Sequence, residues 1–203
     1  MIDNYVRERL PGLASPLIAV YRRLGLSPNT ITLLGFALAM VATVLVANRQ
    51  FGLALGVWLG SRVFDGTDGI LARETDTATP FGAYLDIVFD MAAYSTFVIG
   101  LAAAFPELVH LWLVVLLLYV LGITSALALG AQEAATATAP RDNRGLRLGA
   151  GLAEAGETSV YYALCLLWPT RIEPLTWGWI AILAVTVVSR SALAWRSLAP
   201  RAT

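Results

Sequence analysis

The chain has 203 residues, of which 58% are hydrophobic and 14% are charged, with acidic and basic residues in equal number. A soluble domain carries about 25% charged residues, so this composition excludes an ordinary water-soluble protein and favours one that folds in lipid. The zero net charge gives no indication of a nucleic-acid partner, and a single cysteine excludes both an intrachain disulfide and a cysteine-rich metal site.

Residues 1–28 are predicted to form a cytoplasmic juxtamembrane segment that contains a short helix lying on the membrane surface. Four apolar residues recur in it at helical spacing beside two arginines, namely Leu17, Ile18, Tyr21 and Leu24 with Arg22 and Arg23. An amphipathic helix with cationic residues next to its apolar face typically lies in the membrane interface. A solvated tail is the alternative interpretation.

Six largely apolar segments follow, each about the length that a helix needs to cross a bilayer. They cover residues 30–48, 51–72, 81–104, 109–132, 150–169 and 175–195. We therefore predict an all-α integral membrane protein of six transmembrane helices, with an N-terminal interfacial amphipathic helix. Residues 29–196 are predicted to form one six-helix domain, and residues 197–203 a cytoplasmic tail.

The distribution of arginine predicts the orientation in the membrane. With the N-terminus inside, ten arginines lie on the cytoplasmic side, whereas Arg49 and Arg171 lie on the opposite side. Cytoplasmic loops of membrane proteins carry an excess of basic residues. Both termini, and the junction between the second and third spans, are therefore expected to face the cytoplasm from the cell (inner) membrane.

Four aspartates lie in the second and third spans, where each charged side chain costs at least ~2.5–3.5 kcal/mol. Asp65 and Asp68 are three residues apart and Asp86 and Asp90 are four apart, so each pair lies on one helical face. A short turn joins these helices, which allows the two pairs to face each other. Converging carboxylates would not all stay ionised unless a cation joined them. Their oxygen ligands favour Mg²⁺, Mn²⁺ or Ca²⁺ over zinc.

Small residues and one arginine surround the aspartates. The small residues are Gly66, Gly69, Ala72, Gly82 and Ala83. Small residues commonly let membrane helices pack closely, but between aspartates at metal-ligand spacing we interpret them as room for a ligand. Arg73 lies two turns beyond Asp65, where its guanidinium can hold a phosphate. An ordinary basic anchor at the cytoplasmic surface is the alternative for Arg73.

Read together, residues 65–90 resemble the signature of the CDP-alcohol phosphotransferase family. Eight positions over 26 residues match it, namely Asp65, Asp68, Gly69, Ala72, Arg73, Gly82, Asp86 and Asp90. Residues 27–32 also look like the segment with which this family opens its first membrane helix and binds its donor. The resemblance extends over effectively the whole chain, since the family is built on six membrane helices.

The resemblance implies a role for each matching residue. Asp65, Asp68 and Asp86 are expected to bind two ions of Mg²⁺ or Mn²⁺, with Asp90 close to the metals and also the catalytic base that deprotonates the acceptor hydroxyl. The residues expected to bind the cytidine diphosphate donor are Pro28, Asn29, Thr30, Ile31, Gly69, Arg73, Thr79 and Gly82. Such an enzyme of phospholipid synthesis transfers a phosphatidyl group from CDP-diacylglycerol to an alcohol and releases CMP. A homodimer is also implied.

Candidates for acceptor binding lie around the start of the fifth span. They are Arg141, Arg144, Arg147, Glu154 and Glu157. The arginines can line a pocket for a phosphorylated acceptor or belong to a solvated loop. The glutamates can bind hydroxyl or amine groups, or stabilise a helix N-terminus.

The identity of the acceptor alcohol stays open at this level, and two other functions remain. The first is the same chemistry with a soluble CDP-alcohol donor and a diacylglycerol acceptor. The second is divalent-cation transport, because intramembrane aspartates also mark ion pathways. Transport is disfavoured by the position of the acids at the cytoplasmic ends of the spans rather than at the midplane.

Overall fold

The structure is a computed structural model that describes residues 14–136 and 155–198, and the regular elements in these two ranges are all helical. Helix α1 covers residues 14–23. The longer helices are α2 (Pro28–Ala47), α3 (Phe51–Glu74), α4 (Pro80–Ala104), α5 (Val109–Thr136), α6 (Ala155–Leu167) and α7 (Ile172–Leu198). Short 3₁₀ turns at Pro106–Leu108 and Pro169–Arg171 precede α5 and α7.

Local sequence explains where α2 and α4 begin. The Ser27 hydroxyl accepts a hydrogen bond from the Thr30 N–H at 3.2 Å, and the Thr79 hydroxyl accepts one from the Gly82 N–H at 3.0 Å. Each cap is followed by a proline in the first helical turn, where proline has no hydrogen bond to lose. Both helices therefore start next to residues of the candidate site.

Helices α2, α3 and α4 form a closely packed unit, in which α2 lies against both of the others. A Cβ atom added at Gly100 of α4 would come within 2.7 Å of the Thr43 carbonyl oxygen of α2. One added at Gly35 of α2 would lie 3.2 Å from the Ser61 carbonyl oxygen of α3. Glycine at these two positions lets the backbones approach more closely than any larger residue would allow.

The remaining helices complete a core dominated by aromatic side chains. Helix α6 packs against α3, and α5 packs against α7. Trp58, Phe97 and Tyr162 are fully buried, with ring centroids 4.3–5.2 Å apart. The Tyr162 hydroxyl lies 2.9 Å from that of Tyr119, which in turn accepts a hydrogen bond from the Trp179 indole at 3.1 Å. These contacts link α3 and α4 to α5, α6 and α7.

The predicted helices are present, but the number of membrane spans stays a prediction. Helices α2 and α4, and the stretches that contain α5 and α7, are long and apolar enough to cross a membrane. Helix α3 has 24 residues but carries charged residues in its second half. Helix α6 has 13 residues in the described range, fewer than the roughly 20 that a span needs.

Part of the apolar face of α1 is covered by the helix bundle. Ile18 and Tyr21 are buried in a small cluster with Ile31 of α2 and Ile70 of α3, whereas Leu24 is 67% exposed. The predicted amphipathic helix therefore packs partly on the protein. Its position in the membrane interface stays a prediction.

Candidate active site

Three of the four aspartates converge between α3 and α4. Asp65, Asp86 and Asp90 each offer a carboxylate oxygen, and these oxygens all lie within 4.8 Å of one another. The three residues are half-buried, with 21% of the Asp65 side chain and 17% of the Asp90 side chain exposed. Oxygen ligands at this separation fit a hard divalent cation such as Mg²⁺ or Mn²⁺, which would also offset the repulsion between the carboxylates. We refer to these three residues as the acid cluster.

The fourth aspartate, Asp68, lies outside the acid cluster and is held by neighbouring groups. It is buried, and its Oδ2 accepts a hydrogen bond from the Thr32 hydroxyl at 2.5 Å. Its Oδ1 accepts one from the Gly69 N–H, also at 2.5 Å. Thr32 belongs to the segment 27–32 that resembles the family's donor-binding entry, but its contact with Asp68, which links α2 to α3, was not predicted from the sequence. A metal-binding role for Asp68 stays a prediction.

Arg62 also belongs to this site, although the sequence analysis did not identify it. Its Nη1 lies 2.9 Å from Oδ1 of Asp90 and 3.3 Å from Oδ2 of Asp65. The same nitrogen lies 3.3 Å from the Tyr94 hydroxyl, and the guanidinium rests 4.6 Å from the centroid of the Trp58 ring. The available signal was an arginine three residues before Asp65, on the same helical face.

Several of the residues predicted to bind the donor meet where α2 and α4 begin. A Cβ atom at Gly82 would lie 3.2 Å from the Asn29 side-chain oxygen and 3.3 Å from the Thr79 hydroxyl. These two polar groups therefore flank a glycine that leaves space between them. On α3, a Cβ atom at Gly69 would lie 3.3 Å from Nη1 of Arg73, whose side chain is exposed.

The other predicted donor-binding residues occupy the start of α2 in different environments. Thr30 is exposed, and its hydroxyl lies 2.8 Å from that of the helix cap Ser27. Pro28 is half-buried in the first turn. The Ile31 side chain is fully buried in the cluster that also holds Tyr21, so it packs the helices rather than lining an open surface.

Of the predicted acceptor residues, only Glu157 falls within the described part of the chain. Arg141, Arg144, Arg147 and Glu154 lie outside it. Glu157 is half-buried in the first turn of α6. Its Oε2 atom is enclosed and has no hydrogen-bond partner among the described residues. This position fits both interpretations given for Glu157, binding of the acceptor and stabilisation of a helix N-terminus through the helix dipole.

Sequence comparison identifies curated relatives that match part of the chain. The chain is 35% identical over 107 residues to the inner membrane protein YnjF of Escherichia coli, and the aligned stretch covers 53% of this chain and 52% of YnjF. It is 35% identical over 97 residues to the phosphatidylinositol phosphate synthase of Mycobacteroides abscessus, and this stretch covers 47% of this chain and 44% of the synthase. The chain thus matches about half the length of these curated relatives.

A solved structure agrees over nearly the whole chain. The phosphatidylinositol phosphate synthase of Mycobacterium tuberculosis with CDP-DAG bound superimposes with a TM-score of 0.75 at 22% identity, covering 94% of this chain and 98% of that one. A complex of the same synthase with manganese and citrate gives 0.70 at 21% identity, covering 92% of each chain. At these identities the likeness shows the fold.

The family follows from a match that runs through all the helices from α2 to α7. Residues 25–191 fit the sequence profile described as CDP-alcohol phosphatidyltransferase, and they include every residue of the acid cluster. The apolar helices and the relatives together support a multi-pass membrane protein. The chain belongs to the CDP-alcohol phosphatidyltransferase family.

Proposed function

We propose that this protein transfers a phosphatidyl group from CDP-diacylglycerol to an alcohol and releases CMP, as an enzyme of phospholipid synthesis. The observation that carries the proposal is the convergence of Asp65, Asp86 and Asp90 within 4.8 Å. A membrane protein has little reason to gather three carboxylates unless a cation or a reacting group needs them. Family membership then favours phosphate transfer over the other uses of such a cluster.

The acid cluster would hold Mg²⁺ or Mn²⁺, two ions in the arrangement that the signature implies. A bound divalent cation neutralises charge on a diphosphate and orients it for displacement. Asp68 would join the cluster as a further ligand, with its carboxylate oriented by Thr32 and by the Gly69 N–H. The manganese-bound synthase of Mycobacterium tuberculosis supports this choice of metal.

The donor would bind where α2 and α4 begin and where α3 ends. Asn29 and Thr79 offer hydrogen-bonding groups on either side of Gly82, and a cytidine ring needs such groups for recognition. Arg73 would hold a phosphate beside Gly69, while Pro28, Thr30 and Ile31 shape the start of α2. The related synthase structure with bound CDP-DAG supports a nucleotide-activated lipid as the donor.

Asp90 would act as the general base. Its Oδ1 contacts Arg62, and its carboxylate would accept the proton of the acceptor hydroxyl. The deprotonated oxygen attacks the phosphorus that bears the diacylglycerol, the bond from that phosphorus to the CMP oxygen breaks, and CMP leaves. The product is a phosphodiester between diacylglycerol and the acceptor alcohol.

We further propose that the site faces the cytoplasm from a six-span homodimer in the cell membrane. The positive-inside distribution of arginine supports both termini being cytoplasmic. With α3 and α6 counted as spans, the C-terminal end of α3 and the starts of α2, α4 and α6 lie on that side, which keeps the donor residues together. Nucleotide-activated donors are made in the cytoplasm, so this orientation gives them access.

The acceptor would be an alcohol bound near α6. Relatives named as phosphatidylinositol phosphate synthases and as an archaetidylinositol phosphate synthase support an inositol phosphate. Arg141, Arg144 and Arg147 would then bind its phosphate. Glu154 and Glu157 would instead favour a neutral polyol or an amino alcohol, which they can engage by hydrogen bonds.

An assay of CMP release tests the reaction and names the acceptor. Purified protein is incubated with Mn²⁺ or Mg²⁺, CDP-diacylglycerol and a panel of inositol phosphate, glycerol phosphate, inositol, glycerol and amino alcohols. We expect CMP only with metal and a matching acceptor, and a loss of about 10²–10⁴-fold in Asp90→Asn. The matched control is Asp76→Asn, the same change at an exposed turn residue whose φ of 53° asparagine adopts readily.

The same assay separates the competing functions. If CMP is released from a soluble CDP-alcohol in the presence of diacylglycerol, but not from CDP-diacylglycerol, the donor is the soluble CDP-alcohol and the acceptor is diacylglycerol. No CMP from any combination, together with Mn²⁺ uptake by vesicles that contain the protein, would replace the transferase with a transporter.

A further inference from the structure

The guanidinium of Arg62 lies at the edge of the acid cluster and contacts two of its three members. Nη1 is 2.9 Å from Asp90 and 3.3 Å from Asp65, and 13% of the Arg62 side chain is exposed. Both contacts are made to carboxylates whose oxygens also lie within reach of a shared cation. Arg62 and a metal ion would therefore share the same two ligands.

Neighbouring groups hold Arg62 in this position independently of the carboxylates. The guanidinium carbon is 4.6 Å from the centroid of the Trp58 ring and 5.4 Å from that of Tyr94. Nε donates a hydrogen bond to the Ser61 hydroxyl at 3.3 Å. Cation–π contacts and a planar hydrogen-bonding group restrain an arginine much more than a mobile surface ion pair would. Its charge is consequently a fixed property of the site.

We infer that Arg62 is a built-in counter-ion of the acid cluster, which competes with the divalent cation for Asp65 and Asp90 and so sets the metal affinity. The inference rests on the proposed function, because it takes the cluster as the metal site. Without metal, the positive charge holds repelling carboxylates together. When metal binds, the same charge repels the incoming cation. Its contacts with Asp65 and Asp90 also weaken the interaction of these carboxylates with the metal.

Opposite effects on metal affinity and on metal-free stability follow from this double role. Removing the charge should tighten metal binding, because both carboxylates become fully available. It should also destabilise the metal-free protein, because the cluster loses the cation that balances it. A merely structural arginine would affect stability alone and would leave metal affinity unchanged or weaker.

The test measures Mn²⁺ binding to the purified protein without donor or acceptor, from the electron paramagnetic resonance signal of free Mn²⁺. We expect the dissociation constant of Arg62→Gln to fall by at least about tenfold, the scale on which a neighbouring charge changes the affinity of a carboxylate for a proton. Arg62→Lys, which keeps the charge, should stay within about threefold of the wild type. Both variants are purified in Mn²⁺ and then dialysed.

Arg49→Gln is the matched control. Arg49 also rests on an aromatic ring, 5.6 Å from the Phe105 centroid, and donates a hydrogen bond to the Ala104 carbonyl oxygen. It lies at the opposite end of α4 from the acid cluster. Its replacement removes an exposed arginine that, like Arg62, rests on an aromatic ring, and should leave Mn²⁺ affinity at the wild-type value.

Each result has a defined meaning. Equal or weaker Mn²⁺ binding by Arg62→Gln, with wild-type binding that Asp86→Asn abolishes, would overturn the counter-ion role alone. Wild-type protein that binds no Mn²⁺ removable by Asp86→Asn would overturn both the metal site and the inference. Arg62→Gln could unfold in chelator. In that case, the inference is supported if Mn²⁺ restores the fold of Arg62→Gln at lower concentrations than it needs to stabilise Arg62→Lys. The inference is overturned if Mn²⁺ does not prevent the unfolding.

Discussion

The region around Tyr162 and the region around Asp90 differ in how their polar groups are paired. Near Tyr162, the hydroxyl groups of Tyr119 and Tyr162 and the indole of Trp179 form a continuous set of hydrogen bonds. Around Asp90, three carboxylates converge and Arg62 contacts two of them. A satisfied network rigidifies a core, whereas clustered like charges cost stability unless a ligand joins them. The difference is consistent with a supporting role for the first region and with the proposed reacting site in the second.

The strongest test of this contrast is Asp65→Asn. We expect CMP release to fall on the order of 10²–10³-fold, because the amide cannot supply a charged ligand to the cation that stabilises the reacting phosphate. The melting temperature in chelator should change little, because the variant loses an ion pair to Arg62 but also relieves repulsion within the acid cluster. Activity assays and thermal unfolding on the same preparation check both parts. Retained activity would remove Asp65 from the catalytic site.

Thr32→Val should have a smaller effect on activity. The substitution keeps the shape of the side chain and removes the hydroxyl that donates to Asp68. Groups that orient metal ligands typically contribute about 10–100-fold to metal affinity or activity, and we expect a loss of about tenfold. The control is Thr43→Val on the same helix, where the hydroxyl bonds only its own helix, at the Ala39 carbonyl oxygen. Equal activity of the two variants would contradict a positioning role for Thr32.

Gly100→Ala tests the packing that brings α2 against α4. The added methyl group would lie 2.7 Å from the Thr43 carbonyl oxygen. Because this oxygen belongs to the backbone of α2, the contact can be relieved only if α2 and α4 move apart. We expect destabilisation by about 1–3 kcal/mol in denaturant unfolding. At Gly56 of α3 a Cβ atom meets nothing within 4 Å, so Gly56→Ala should stabilise by up to about 1 kcal/mol.

The smallest effect is expected in the aromatic network itself. Tyr162→Phe removes the hydroxyl that donates to the Tyr94 carbonyl oxygen at 2.8 Å and pairs with Tyr119. Hydrogen bonds in membrane proteins contribute about 0.6 kcal/mol on average, so we expect a loss of about 0.5–2 kcal/mol and CMP release near the wild-type rate. A large loss of activity without loss of stability would show that this network takes part in the reaction.

Local sequence was sufficient for most of the helices and for the pairing of the aspartates. Helices occur at each of the six predicted segments, since apolar runs and the caps at Ser27 and Thr79 act within a few residues. The spacing of Asp86 and Asp90 on one turn of α4 follows from helical periodicity alone. The family signature could be recognised for the same reason, because it lies within 26 consecutive residues.

Only the tertiary structure separated Asp68 from the other three aspartates and brought Arg62 to Asp90. Both outcomes depend on side chains from different helices, 36 residues apart for Thr32 and Asp68 and 28 apart for Arg62 and Asp90. The relative rotation of α2, α3 and α4 decides these contacts, and Gly35 and Gly100 are positions where α2 packs tightly against the other two helices. Periodicity predicts which face a residue occupies, whereas the packing of three helices decides what that face meets.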